Sequence, residues 1–268
     1  MLYDECSDIH VEKAGVPDWK NLKNQDSNVL VIAGDVSDDI SLTAGVVENA
    51  AKYYDKIVFV DGNHDNLYGD VDETTKFYQS KFYNHPNIIY LHGDNYYVFD
   101  DVAFIGITGW YDFCIYPEYT KMQYISAWGK NNDSKFINFG NYGTPDNLAR
   151  IQSQKLADVV KILTVDSSIK QIVVTTHMAP KPELLEKSND PEFNMITGSY
   201  CNTSMQNVLD ADINNKIVSW NFGHTHKRSY RAIDNVLYVN NARGYHYEDS
   251  SEYFLAQVDT NSTNPYGF

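Results

Sequence analysis

Five short, mostly apolar runs, 29–33, 57–60, 102–107, 172–175 and 217–222, constrain the fold of this chain more than anything else in it. Each is too short for an ordinary helix and is largely apolar, so each reads as a buried strand. Such strands need helices over their outer sides, which suggests α/β layers. Helical spacing puts Leu42, Val46, Val47, Ala50 and Tyr54 near one face of a helix over 41–54. A second helix is expected over 72–83. The clearest follows Thr144-Pro145, with Thr144 as N-cap, Pro145 at the first helical position, and Leu148, Ile151, Leu156, Val159, Val160 and Leu163 on one face. Segments 230–233 and 236–239 flank Asp234-Asn235 as a tight hairpin, and a last strand is expected over 253–258.

Three stretches fit this alternation badly. Residues 2–7 precede the first polar motif but contain Asp4 and Glu5, so the strand there is short or turns those acids to a wet face. Residues 110–143 are aromatic, rich in Gly and Asn, and too long for an ordinary connection. They read as an insertion capping one end of a sheet. Their aromatics (Trp110, Tyr111, Phe113, Tyr116, Tyr119, Tyr124, Trp128) suit a small core of their own, or a stacking surface for a flat group. Residues 180–204 form a second irregular loop.

Composition narrows the function. The formal charge of −15 argues against a broad basic face gripping extended nucleic acid. No stretch approaches the roughly 18 apolar residues of a membrane span, and the first residues do not resemble a secretory signal. Three separated cysteines, Cys6, Cys114 and Cys201, exclude a disulfide framework and a Cys-based zinc site. A cytoplasmic protein is expected.

The chemistry lies in five short motifs: Asp8-Ile9-His10, Gly34-Asp35-Val36-Ser37-Asp38, Gly62-Asn63-His64-Asp65, Thr176-His177 and Gly223-His224-Thr225-His226. Each falls where a strand is expected to end, the edge at which open α/β sheets collect ligands. Mixed Asp, Asn and His donors suit Mn²⁺, Fe²⁺ or Zn²⁺ better than Ca²⁺ or Mg²⁺. The glycines before Asp35, Asn63 and His224 permit tight turns and close backbone approach. The donors outnumber the needs of one ion, which points to two metals about 3.5–4 Å apart sharing a carboxylate.

In this order, after these strands, the motifs resemble the calcineurin-like metallophosphoesterase superfamily, bacterial and phage-type members included. The resemblance runs from Asp8 to about Tyr245 and takes in Leu91-His92-Gly93-Asp94, Phe104-Ile105-Gly106 and Asn241-Ala242-Arg243-Gly244-Tyr245. It implies one domain over 1–268, an α/β fold with two mixed β-sheets packed as a sandwich, flanking helices and the cap-like insertion at 110–143. It implies two divalent ions, Mn²⁺ first and Fe or Zn as alternatives. Asp8, His10 and His226 would hold one, Asn63, His177 and His224 the other, and Asp35 both. His64 would act on the leaving oxygen, with Asp38 orienting it; Asp38 could instead cap the next helix, a task open to Asp39 or Ser41. His246 is a candidate substrate contact. Lys227, Arg228 and Arg231 read as solvated hairpin residues, any of which could face a phosphate.

The implied reaction is hydrolysis of a phosphoester by water attacking in line. Protein Ser/Thr phosphatases of this superfamily carry an Arg after the second motif Asp and a Glu after the motif His; here those positions are Asp39 and Asp65. Less positive charge at the site favours a phosphodiester of a small or nucleotide-like substrate. The alternatives are a nuclease on short single strands, a phosphomonoesterase, and a metal-binding scaffold without catalysis.

Overall fold

The computed structural model describes residues 1–248 and 252–262; residues 249–251 and 263–268, within the single domain expected over 1–268, lie outside them. The strands are β1 (Leu2–Cys6), β2 (Val29–Ala33), β3 (Lys56–Val60), β4 (Ile88–Tyr90), β5 (Tyr96–Phe99), β6 (Val102–Ile107), β7 (Gln171–Thr176), β8 (Ile217–Asn221), β9 (Ser229–Ile233), β10 (Val236–Asn240) and β11 (Ala256–Asp259). The helices are α1 (Val11–Ala14), α2 (Trp19–Leu22), α3 (Ile40–Ala50), α4 (Val71–Phe82), α5 (Lys121–Trp128), α6 (Asn132–Phe136), α7 (Pro145–Val165), α8 (Pro191–Ile196) and α9 (Gln206–Ala211).

Two mixed sheets result, in the orders β11-β1-β2-β3-β4 and β5-β6-β7-β8-β10-β9. Strands β1 to β4 run parallel, with β11 antiparallel to β1. In the other sheet β6, β7, β8 and β10 run parallel, with antiparallel edges β5 and β9. Successive side chains alternate between two apolar layers, which explains the mostly apolar runs. Val29, Val31, Val58, Val60, Phe104 and Val173 fill the space between the sheets. Leu30, Ile32, Ile57 and Phe59 meet the outer layer that includes Val46, Val47 and Tyr78. Ile105, Ile172 and Val174 meet Leu156, Val160 and Leu163.

The structure corrects several details. The first strand forms, and its acids face no water: Asp4 and Glu5 are both 0% exposed. Asp4 accepts hydrogen bonds from the Asn24 backbone and side chain and from Tyr54 Oη. The helix expected over 41–54 ends at Ala50, and Tyr54 turns in to meet Asp4. Thr144 occupies the N-cap of α7 but its hydroxyl accepts from Asn147 Nδ2, not from the backbone. Ile151 is 43% exposed and leaves the buried face of that helix. The hairpin turns through Asp234 and Asn235, both in the left-handed region as such a turn requires. The last strand starts at Ala256, later than the apolar pattern suggests.

Glu5 has no hydrogen-bond partner for either carboxyl oxygen. Burial, reinforced by repulsion from Asp8, raises its pKa well above 4.5. Its contribution to stability is therefore complete below about pH 4.5 and is lost as pH rises toward the folded-state value. Glu5→Gln removes that loss. In thermal melts the variant should gain more over the parent at pH 8 than at pH 5; equal gains at both would show that Glu5 is not kept neutral.

Candidate metal centre

The carboxyl ends of β1, β2, β3, β7 and β8 come to one edge of the paired sheets, and the five motifs lie just beyond them. The loops are stitched to one another. Asp8 N–H donates to the Gly34 carbonyl at 3.0 Å, His10 N–H to that of Asp35 at 3.2 Å, and Gly223 N–H to that of His177 at 2.9 Å. His224 N–H donates to the Asp8 carboxylate at 2.9 Å. The backbone here is locally strained. Asp8, His10, Asp35, His224 and His226 all have positive φ, at a cost of about 1–2 kcal/mol each for a residue with a side chain. Such outliers gather where surrounding structure enforces a functional geometry.

The glycines act mainly by absence. A Cβ on Gly62 would lie 2.1 Å from Asp35 Oδ1, and one on Gly34 2.6 Å from His177 Nδ1. Gly34 also has φ +85. Both packed against the motif side chains, these positions leave no room for any other residue.

Two sets of donors converge. Asp8, His10 and His226 offer ligand atoms within 4.8 Å of one another, and so do Asp35, His177 and His224. Asn63 joins the second set, its Oδ1 lying 3.0 Å from His177 Nε2 and 2.9 Å from His224 Nδ1. Asp35 Oδ2 stands between the sets, 3.1 Å from His177 Nε2 and 3.8 Å from His10 Nε2. Its Oδ1 is occupied by the His64 backbone N–H at 2.8 Å.

The atoms fit a cation. His177 Nδ1 lies 2.8 Å from the Ala33 carbonyl, a hydrogen-bond partner that leaves the Nε2 lone pair free to face inward when the ring is neutral. His226 Nδ1 is bonded likewise to Glu248 at 2.6 Å. Carboxylate, amide oxygen and imidazole lone pairs then point at one another, an arrangement that repels unless positive charge lies among them. His10 Nε2 and His226 Nε2 meet at 3.0 Å. Without ions, protons carry that charge. Burial opposes charge on His177, but Asp35 and Asp8 raise it to about 10. Burial would raise Asp35, but His177, His64 and His10 hold it well below the usual carboxylate range.

His64 sits at the rim, its side chain 20% exposed, with Nδ1 2.6 Å from Asp38 Oδ1. Burial works against its charge, yet Asp35, Asp38 and Asp133 together lift it to about 9. Asp38 is free for this because Asp39 caps α3, accepting from the Ser41 and Leu42 backbones at 2.8 Å. Asp65 turns inward and accepts from Asp35 N–H, Gly62 N–H and Thr43 Oγ1. It fixes the loops that carry Asp35 and Asn63, and burial with repulsion from Asp35 raises it to about 7. His246 is exposed and packs against Tyr247. The neighbouring Tyr245 is the residue that stacks on the centre, its ring 4.7 Å from those of His10 and His226.

The aromatics of 110–143 form a core of their own. Trp110, Tyr111, Phe113, Tyr116 and Tyr124 are buried together with Leu67, Leu148 and Met178. Sequence reading missed that this segment also reaches the centre. Asp133 on α6 accepts from Asn63 Nδ2 at 3.0 Å and from Tyr111 Oη at 2.9 Å. A carboxylate accepts only, so Asp133 fixes the Asn63 amide with its oxygen toward His177 and His224. Asp133→Asn removes that constraint, because an amide can donate as well as accept. Affinity for one of the two ions should fall about 10–100-fold, read by calorimetry, with circular dichroism unchanged. Undiminished affinity at both sites would remove Asp133 from the role.

A cavity of about 840 Å³ lies elsewhere, against Tyr78, Phe82, Ile88 and Tyr97. Among the described residues it brings together no comparable set of ligand atoms, so volume alone does not mark the chemistry here. Among the described residues no helix is long and apolar enough to cross a membrane.

Fold and site together define a two-sheet α/β protein with a composite cation site at one sheet edge. The chain belongs to the calcineurin-like phosphoesterase family, whose sequence profile matches residues 3–228, and is thereby a metal-dependent phosphoester hydrolase. An uncharacterized protein of Acanthamoeba polyphaga mimivirus is 26% identical over 291 residues, covering 98% of this chain and 94% of that protein. The fold is shared with Phosphopantetheinyl Hydrolase (PptH) from Mycobacterium tuberculosis, at a TM-score of 0.77 and 16% identity over 96% of this chain and 95% of that one. A dimetal phosphatase from Danio rerio aligns at a TM-score of 0.52 and 11% identity over 90% and 86% of the two chains.

Proposed function

We propose that the protein is a dinuclear phosphodiesterase acting on a small or nucleotide-like substrate. Asp8, His10 and His226 would hold one ion and Asn63, His177 and His224 the other, with Asp35 shared between the two sets. The observation that carries this reading is the position of Asp35 Oδ2, within 4 Å of ring nitrogens from both sets. Bound there, two divalent cations, Mn²⁺ first, supply Lewis acidity for phosphoryl oxygens and lower the pKa of water. The chain supplies the rest. Asp35, with its Oδ1 tied to the His64 backbone, holds the two sets in register. His64 faces the leaving oxygen and gives it a proton, while Asp38 keeps the ring aimed. The strained, cross-bonded loops keep the donors in place before substrate arrives, so little reorganisation accompanies the reaction.

The absence of a clamping Arg beside Asp38 supports a diester, with one negative charge, over a monoester dianion. The charge of −15 argues against extended nucleic acid as partner, and three free cysteines suit a reducing compartment such as the cytoplasm. The test is a panel with Mn²⁺ added: p-nitrophenyl monoester and diester, cyclic nucleotides, oligonucleotides and a phosphopantetheinyl ester, the last suggested by the name of the Mycobacterium neighbour. The diester should turn over fastest among the p-nitrophenyl esters. Faster monoester cleavage would reverse the preference, and no cleavage of any probe would sink the reading.

A further inference from the structure

Beside the metal centre lies a cavity of about 230 Å³ that the proposed chemistry does not use. It is built from the stretch after β7, which the structure shows to include α8, from the segment between β8 and β9, and from β9 itself. The wall shared with the centre is Tyr200, whose ring meets the His224 ring edge-on at 4.8 Å, and Thr225, which stands between His224 and His226. Thr225 Oγ1 is fixed by Asn240 Nδ2 at 2.8 Å. Leu184, Leu185 and Phe193 give an apolar side. The lining also carries Lys227 and Arg231, with Glu186 as the acidic residue among the lining side chains. In a chain of net charge −15, a lining with two cations and one carboxylate departs from the overall balance of charge.

The geometry points to a subsite for one arm of the phosphodiester, with a flat or apolar group lying against Tyr200 and Phe193 and a second phosphate at Lys227 and Arg231. This deepens the phosphodiesterase reading and rests on it. The volume, below the roughly 300 Å³ at which whole-ligand pockets begin, suits one arm and not an entire substrate. Tyr200 touches His224 and shares the lining with Phe193, Lys227 and Arg231, so a substrate arm that carries both a ring or short apolar stem and an anion finds a partner for each. A nucleoside with a further phosphate has both. The cations are not locked away from a ligand. Lys227 pairs with Glu186 across exposed surface, where such pairs are worth little, and a substrate phosphate competes for the same ammonium. Arg231 gives Nη1 to the Glu183 carbonyl, and its guanidinium has other donors to offer.

The probes are thymidine 3′,5′-bisphosphate and thymidine 5′-monophosphate, titrated into the Mn²⁺-loaded protein by calorimetry. The bisphosphate should bind about tenfold more tightly, the order expected of one charge-assisted contact. Lys227→Ala and Arg231→Ala should each shrink that ratio. Glu186→Gln, which frees Lys227 from its rival, should enlarge it. A subsite and a mere loop fastening part company here, because a fastening is weakened by either half of the ion pair. An unchanged ratio in all three variants, or a ratio that shrinks in Glu186→Gln as it does in Lys227→Ala, overturns the inference. Failure of the same preparation to cleave bis(p-nitrophenyl) phosphate would count against the phosphodiesterase reading alone, since the binding ratio is read without turnover.

Discussion

Asp35→Ala should abolish binding of both ions and with it all hydrolysis, the largest loss expected of any single substitution in this chain. Every other donor belongs to one set, whereas Asp35 Oδ2 faces His177 on one side and His10 on the other. Removing it takes away the shared anion and leaves His177, fully buried, without the carboxylate that chiefly sustains its charge. The fold should persist. Asp35 is held by its neighbours through Asp65, and the Asp65 contacts to Gly62 and Thr43 do not pass through the lost side chain. The low pKa of Asp35 adds a pH signature in the ion-free protein. Its stabilising contribution is present above the ordinary value of 3.8 and fades as acid reaches the folded-state value, so the variant should lose the least relative stability in strong acid. Elemental analysis of the purified variant decides the matter: two metals per chain would disprove the bridge.

The sheets and motif loops were legible in sequence because mostly apolar runs record burial on both faces, and because turn glycines and ligand-type residues sit where those runs stop. Strand β2 matches its apolar run residue for residue. Less legible were elements whose partners are remote in sequence. Strand β4 has three residues, and β5 is an edge strand whose residues are at best partly buried, so neither leaves a strong pattern. Asp4 and Glu5 look like surface acids until strand pairing encloses them between β11 and β2. Asp133 stands in a segment with no motif, 70 positions from the Asn63 it orients, and Glu248 is 22 from His226. Short-range spacing cannot reveal supports that arrive from another part of the chain. The left-handed backbone at five motif positions was hidden for a different reason: only two of the motif glycines directly precede a residue of positive φ, and Asp and His carry no mark of the conformation they are forced to adopt.

His64→Ala should retain both ions and lower kcat about 10²–10⁴-fold, the usual cost of losing a positioned general acid. The case rests on placement. The ring is held by Asp38 on one nitrogen, and its backbone N–H is tied to Asp35. It lies against His10, ring centroids 4.6 Å apart, at the partly exposed rim where a substrate must enter. Since His10, Asp38 and His64 also bring ligand atoms within 4.8 Å, metal content and kcat must be measured together. Loss of one ion with the side chain would make His64 a ligand. Normal turnover of an activated diester by the metal-replete variant would remove it from the reaction. Charge provides a second measurement. In the ion-free protein, against its burial, the carboxylates around His64 raise its pKa from 6.5 to about 9, so the stability it confers is complete below pH 6.5 and is lost as pH rises through about 9. Asp38→Asn withdraws one of the anions responsible and should move that titration to lower pH, followed by nuclear magnetic resonance of the imidazole. Diamagnetic Zn²⁺ should move it the same way, because cations nearby disfavour the imidazolium. A titration indifferent to both would mean that neither Asp38 nor the metal centre governs the proton His64 is proposed to deliver.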